Sequence, residues 1–82
     1  MTTKQALEKQ SLEYYLNLKY PISIIPEEEG GFTALIPDLP GCITQGETIE
    51  EVVANIDEAR QLWIETVYLS DKKEIPLPNN KY

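Results

Sequence analysis

The strongest structural signal in the chain is the stretch TIEEVVANIDEARQLWIETV, residues 48–67. It opens with a capping box, because the Thr48 hydroxyl can accept a hydrogen bond from the Glu51 amide while the Glu51 carboxylate reaches back. Apolar residues then recur at helical spacing along one face: Ile49, Val52, Val53, Ile56, Ala59, Trp63, Ile64 and Val67. The pattern predicts a long helix that fades near Ser70, with its apolar stripe in the core rather than forming a binding groove.

Three β-prone segments precede this helix. Residues 20–26 and 32–36 alternate in their apolar pattern, and the acidic, glycine-containing stretch 27–31 between them is typical of a hairpin turn. Residues 37–41 contain two prolines and a glycine, which fix a second turn before the short segment 42–45. The sequence therefore predicts a three-stranded antiparallel sheet with one face covered by the long helix.

The two ends of the chain each add one expected element. Residues 3–18 are predicted to form a helix with apolar residues on two sides, which needs two partners to pack against. The body of the protein is one partner and a second copy is the other, so we expect a homo-oligomer. In the tail 74–82, extended by its prolines, Ile75 and Leu77 are candidates for a last strand. The expected fold is a single α+β domain over residues 1–82, a two-layer module in the order α-β-β-β-α-β.

Composition narrows the range of functions. The chain has 82 residues, 14 acidic and 7 basic side chains, no histidine, one cysteine and a net charge of −7. It lacks the clustered positive charge that nucleic-acid binding requires, and one cysteine cannot form an internal disulfide or a cysteine-cluster metal site. The sequence shows no membrane-spanning apolar run and no signal core, so we expect a soluble, cytoplasmic protein without a cofactor.

No pattern of residues indicates an active site. Cys42 has no histidine to activate it, and its β-prone surroundings favour a small buried side chain. The run Glu27–Glu29 converges poorly on a cation, because successive side chains of an extended chain point in opposite directions. Asp38 and Glu47 are candidates for an acid–base pair, but nothing in the sequence brings them together. We expect a binding protein; the enzymatic alternative is a minimal nuclease whose carboxylates hold Mg²⁺.

Negative charge is concentrated in the middle of the chain. Residues 20–71 contain eleven acidic residues against one basic residue. Three glutamates of the predicted helix repeat every seven residues and form one line opposite the apolar stripe. This line is either a solvated face or a docking face for a basic protein, together with two further acids on the adjoining loop. The candidate partner-binding residues are Asp38, Glu47, Glu51, Glu58 and Glu65.

The one basic residue of this acidic region, Arg60, falls within the apolar stripe. A buried charge without a partner is costly. We therefore expect the Arg60 side chain to extend to solvent, to pair with a carboxylate such as Asp57, or to pair across an oligomer interface.

Several motifs resemble the HicB antitoxin family. In chain order they are EGGF at 29–32, IPDLPGC at 36–42, QGET at 45–48, EE at 50–51, Asn55 and Trp63. The resemblance covers about residues 20–69, and the combined string is fairly specific. The upstream stretch LEYYLNL, residues 12–18, resembles the short members of the family that have no long C-terminal extension.

The resemblance implies a truncated RNase H-like fold without the nuclease carboxylates, and a role as the antitoxin of a type II toxin–antitoxin system. The implied partner is a HicA-type toxin, a small basic ribonuclease that cleaves mRNA and whose active surface the antitoxin occludes. An acidic body suits this role because it mimics the charge of RNA. The eleven residues after Asp71 include two prolines, so we expect no C-terminal DNA-binding helix. The alternative function is an orphan interaction module that self-associates without a toxin.

Overall fold

The computed structural model describes residues 10–70 and 73–79. The elements in chain order are helix α1 (Leu12–Leu16), strands β1 (Ser23–Pro26), β2 (Phe32–Leu35) and β3 (Ile43–Gly46), and helix α2 (Ile49–Ser70). Residues 3–9 of the predicted first helix and residues 80–82 of the predicted tail lie outside the described residues.

The three strands form one antiparallel sheet in the order β1-β2-β3. The β1–β2 turn is closed by the Glu27 amide, which donates to the Gly31 carbonyl at 3.0 Å. Gly30 and Gly31 have φ of 105° and 81°, values that other residues rarely adopt, so the hairpin turn predicted from these glycines is confirmed. The β2–β3 connection is also tight, because the Ile36 amide donates to the Cys42 carbonyl at 3.0 Å.

Helix α2 covers one face of the sheet, where it packs over β2 and β3. It starts at the predicted Thr48 cap, whose Oγ1 accepts from the Glu51 amide at 3.0 Å. The Glu51 carboxylate reaches back as predicted, but one residue beyond the cap, where Oε1 accepts from the Glu47 amide at 2.6 Å. The core between helix and sheet consists of Ala34, Ile36, Leu39, Cys42, Val52, Ile56 and Ile64, with Tyr20 and Ile75 from the flanks. The predicted α+β arrangement of a three-stranded antiparallel sheet under a long helix is confirmed.

Helix α2 extends well beyond the strands it covers. Its 22 residues span about 33 Å, whereas a four-residue strand spans about 13 Å. Ile49 and Val53, predicted to be core, are 45% and 44% exposed, which corrects the predicted stripe. Asn55 lies on the flank of α2 that contacts β3, and Ile49 and Val53 lie on the opposite flank. On that side of the sheet lies β1, over which α2 does not pack. The described part of the chain therefore leaves that flank uncovered.

Helix α1 packs against the C-terminal half of α2. Arg60 of α2 donates from Nη1 to the Leu16 carbonyl at the end of α1, at 2.7 Å. Ser11 caps the start of α1 and is extended, with ψ of 160°. The helix predicted over residues 3–18 is thus observed only over Leu12–Leu16 in the described part of the chain, because the capping serine begins a new helical turn at that point.

The described tail, residues 73–79, docks as extended chain and contains no strand. Ile75 is buried, and the Tyr20 hydroxyl donates to the Pro76 carbonyl at 2.6 Å, whereas Leu77 is exposed. This corrects the last strand of the predicted order. Pro76 and Pro78 have no amide hydrogen with which to extend a ladder, so the tail cannot pair as a regular strand.

Candidate binding surface

The predicted line of glutamates runs along the outer face of α2. Glu51, Glu58 and Glu65 are separated by about two helical turns each, or roughly 10 Å. Glu58 is exposed and Glu65 is half-buried. In the described part of the chain, neither of these two carboxylates forms a hydrogen bond or an ion pair with another side chain. Both are therefore available to a partner.

Two of these glutamates line a groove between α2 and the β3 edge of the sheet. The groove is open to solvent and has a volume of about 470 Å³. Its lining residues are Thr44, Asn55, Glu58, Ala59, Gln61, Leu62 and Glu65. The Asn55 amide nitrogen donates to the Gln45 carbonyl at 2.8 Å, which holds the helix against the strand and fixes the shape of the groove.

Two exposed leucines interrupt the acidic line and were not predicted from the sequence. Leu62 and Leu69 are 64% and 75% exposed. With Glu58 and Glu65 they form one acidic–apolar stripe along the outer face of α2, in which glutamate and leucine alternate. A signal was present in the sequence, because the two leucines are seven residues apart and lie off the core stripe of the helix. The stripe therefore combines negative charge with apolar surface that a partner could remove from water.

The first glutamate of the line, Glu51, already forms a hydrogen bond within the protein. The Glu51 carboxylate accepts the capping hydrogen bond from the Glu47 amide. Both residues line a second open cleft, of about 700 Å³, together with the hairpin turn Glu27–Glu29. The sequence predicted this turn to be a solvated tip, and its residues are exposed. The structure adds that the turn lies beside the start of α2, so the negative charges of the two loops accumulate at this end of the sheet.

Asp38 lies apart from the other candidate residues. It belongs to the β2–β3 connection, which precedes β3, whereas Glu47 follows β3, so a whole strand separates them. This corrects the expectation that the two acids share an adjoining loop. Asp38 Oδ2 accepts a hydrogen bond from the Asn79 amide at 2.9 Å. In the described structure its carboxylate holds the tail.

Arg60 is held inside the protein by two partners. Its Nη2 donates to Asp57 Oδ1 at 2.8 Å, as one of the sequence alternatives predicted, and its Nη1 donates to the Leu16 carbonyl. The hydrogen bond from Arg60 is the main reason that the pKa of Asp57 is lowered. Arg60 therefore connects helices rather than offering positive charge at the surface.

The side chains of Cys42 and Tyr20 are buried. Burial raises the pKa of the Cys42 thiol, which agrees with the predicted small buried side chain. Burial is also the main cause that raises the pKa of Tyr20 to about 12.

Across residues 10–70 and 73–79, no group of three or more histidine, cysteine, aspartate or glutamate side chains is arranged to hold a metal ion. None of the described helices is long and apolar enough to cross a membrane.

Comparison with protein families identifies one match over most of the chain. The family model described as HicB-like antitoxin of bacterial toxin-antitoxin system matches residues 20–81. The match includes all three strands, helix α2 and the five predicted partner-binding residues.

Individual relatives fall into two groups. A UPF0150 protein of Synechocystis is 46% identical over 56 residues, covering 68% of this chain and 77% of that protein. Antitoxin HicB 1 of Photorhabdus laumondii is 40% identical over 62 residues, covering 76% of this chain and 39% of that protein. Antitoxin HicB of Escherichia coli K12 is 36% identical, covering 76% and 44%. The matched region thus spans less than half the length of these two HicB proteins and most of the length of the UPF0150 protein.

Proposed function

Because the chain belongs to the HicB-like antitoxin family of bacterial toxin–antitoxin systems, we propose that it binds and occludes a HicA-type ribonuclease toxin. In this proposal it is the antitoxin of a type II pair in the cytoplasm, where the toxin cleaves mRNA. Binding alone neutralises the toxin, so the antitoxin needs no catalytic residue of its own.

The observation that carries the proposal is the acidic–apolar stripe on α2. Glu58 and Glu65 have no partner among the described residues, and Leu62 and Leu69 are largely exposed between and beyond them. Large apolar side chains exposed in a row are typical of interaction surfaces. The glutamates select a basic partner, and the leucines supply the apolar contact that holds it.

The charge of the whole chain supports the same partner. A net charge of −7 attracts a basic ribonuclease and speeds its encounter with the antitoxin. An RNA-cleaving enzyme must itself attract a polyanion, so a surface with rows of carboxylates competes for the same positive side chains. Occlusion of the RNA-binding surface follows from this competition.

The first experiment identifies the partner and then measures inhibition. The tagged chain is used to capture proteins from its native cytosol, followed by elution with salt and mass spectrometry. We expect a small basic ribonuclease, whose cleavage of a fluorescent RNA the purified chain should suppress at an equimolar ratio. Recovery of the chain alone would favour the orphan interaction module instead.

The second experiment tests the surface by charge reversal. In the double variant Glu58→Lys/Glu65→Lys we expect the Kd for the captured ribonuclease to rise roughly tenfold or more, with a weaker dependence on salt. The matched control is Glu13→Lys/Glu74→Lys, which changes the net charge equally at exposed positions outside the stripe. Equal weakening by both variants would show that only total charge matters. Unchanged binding by the first variant would place the contact elsewhere.

A further inference from the structure

Strand β1 forms an edge of the sheet that no other described element covers. All four of its residues are exposed, and Ile22, Ile24 and Ile25 are 44%, 36% and 47% exposed. No charged residue occurs between Tyr20 and Pro26. Natural proteins protect such edges with short strands, prolines, charges, bulges or a covering element, because a bare edge pairs with other strands. Strand β1 is short and ends at Pro26, but its isoleucines carry no charge beside them and no described element covers them. The apolar edge of β1 therefore requires an explanation.

The direction of the free backbone groups follows from the hairpin. The Glu27 amide donates to the Gly31 carbonyl, so position 27 faces β2. The backbone N–H and C=O groups of successive strand residues point in alternate directions. Those of Ile25 and Ser23 therefore also point towards β2, whereas those of Ile24 and Ile22 point away from the sheet. Pro26 faces away too, where its missing amide hydrogen costs no bond to β2. The outward amides of Ile22 and Ile24 have no partner in the described structure.

The opposite edge of the sheet, formed by β3, is packed against α2. On β3, the Gln45 carbonyl accepts a hydrogen bond from the Asn55 side chain at 2.8 Å, and α2 packs along this strand. Helix α2 does not pack over β1. Ile24 shares its sheet face with Ala34, which is buried under α2, and the exposed Val53 lies on the β1 flank of the helix. The described residues therefore leave apolar side chains exposed both at the edge of β1 and on the flank of α2.

We propose that β1 pairs with β1 of a second copy of this chain, antiparallel about a two-fold axis at Ile24, to give a continuous six-stranded sheet. In this register the two Ile24 residues exchange backbone hydrogen bonds. Each Ile22 amide donates to the Pro26 carbonyl of the partner subunit. The register thus uses only donors that the strand possesses. It also places both copies of Ile24 on the same face of the sheet, beside the axis.

Charge complementarity favours a second copy as the occupant. Lys19 precedes β1 and Glu27–Glu29 follow it, and all four side chains are exposed. Antiparallel self-pairing places the start of β1 in one chain, which Lys19 precedes, beside the acidic turn Glu27–Glu29 of the partner subunit, and it does so twice. Parallel pairing would instead bring the two acidic turns together. The edge is therefore complementary to itself in the antiparallel orientation alone.

The first test removes one outward donor without touching the β1–β2 ladder. We expect the wild-type chain to sediment at twice its mass of 9.4 kDa at micromolar concentrations. The variant Ile24→Pro should sediment as a monomer while its circular dichroism spectrum remains that of the folded chain. A wild-type monomer, or a folded Ile24→Pro dimer, would overturn the proposal.

The second test uses exposed charges and does not depend on proline being tolerated. Lys19→Glu should weaken dimerisation roughly tenfold, because it places like charges together twice. The swap Lys19→Glu/Glu29→Lys should restore the wild-type dimer, whereas Lys73→Glu, an exposed control away from β1, should have no effect. Dimerisation unaffected by Lys19→Glu, or not restored by the swap, would overturn the proposed register. If β1 binds a strand of a different protein instead, the chain alone stays monomeric.

Discussion

At the scale of single residues, Arg60 fixes the position of α1. It is largely buried, it pairs with Asp57 on its own helix, and it donates to the Leu16 carbonyl 44 residues away. That carbonyl is one of those that a helix end leaves without an intrahelical partner. A single guanidinium therefore neutralises its charge locally and caps a neighbouring helix at the same time.

The two roles of Arg60 can be separated by substitution. Arg60→Met removes both bonds and should lower the free energy of unfolding by about 1–3 kcal/mol, because the Leu16 carbonyl is left without its donor. Asp57→Asn removes only the ion pair with a half-exposed carboxylate and should cost less than about 1 kcal/mol. Urea denaturation of the two variants measures the difference. Equal losses would show that the capping bond to Leu16 contributes nothing.

The same ion pair makes a small part of the stability dependent on pH. The folded state lowers the pKa of Asp57, mainly through the hydrogen bond from Arg60. A carboxyl group with a lowered pKa stabilises the fold fully above its unfolded pKa, and this contribution is lost as the pH falls through the folded value. Asp57→Asn should therefore lose less stability than the wild type on acidification, as thermal unfolding at several acidic pH values would show.

At the scale of secondary-structure elements, β3 and α2 are closely packed at the point where they join. A Cβ atom built on Gly46 would lie 2.6 Å from the Val52 amide nitrogen and 2.8 Å from its Cα. These are backbone atoms of a helix, so they cannot move aside as a flexible side chain would. The glycine lets the end of β3 and the first turns of α2 approach each other closely.

Substitution of this glycine tests the close approach. Gly46→Ala should lower the free energy of unfolding by about 1–3 kcal/mol, because the start of α2 must shift away from β3. Gln45→Ala, at the adjacent exposed position, should stay within about 0.5 kcal/mol of the wild type. Guanidinium denaturation followed by circular dichroism measures both variants. If Gly46→Ala left the free energy of unfolding unchanged, the start of α2 would be able to shift away from β3 at little cost.

Most elements could be predicted from the sequence because their signals are local. The capping box at Thr48, the glycine turn of the first hairpin and the length of α2 all depend on neighbouring residues. The exposure of Val53 depends instead on which part of the sheet lies under α2, which periodicity does not encode. The missing last strand has a local cause, because Pro76 and Pro78 have no amide hydrogen for a ladder, and the predicted strand did not take this into account. The candidate partner-binding residues divide in the same way. Glu58 and Glu65 share a face through helical spacing, whereas Asp38 was misplaced because β3 separates it from Glu47.

At the scale of the whole molecule, the core is closed by segments from both flanks. Tyr20 precedes the sheet and Ile75 follows the long helix, yet both are buried in the same cluster. The Tyr20 hydroxyl holds the Pro76 carbonyl, and Asp38 holds the Asn79 amide. A domain of this size has little apolar surface to spare, so the docked tail contributes a substantial share of its burial.

The contribution of the tail can be measured at one side chain. Ile75→Ala should lower the free energy of unfolding by about 2 kcal/mol, because it leaves a cavity against the core. Leu77→Ala, two residues further along, should have little effect, since Leu77 is mostly exposed. Thermal unfolding at neutral pH compares the two. Similar small losses would indicate that the tail leaves the core in solution.

The contact between α2 and the β2–β3 connection also gives the protein an internal optical reporter. Trp63 is its only tryptophan, and the indole Nε1 donates to the Pro40 carbonyl at 2.8 Å. Its fluorescence therefore reads one defined contact without any attached dye. Departure of the helix from this loop would expose the indole ring to water and move its emission to longer wavelength. Partial opening at this point can thus be distinguished from loss of helical content, which circular dichroism follows separately.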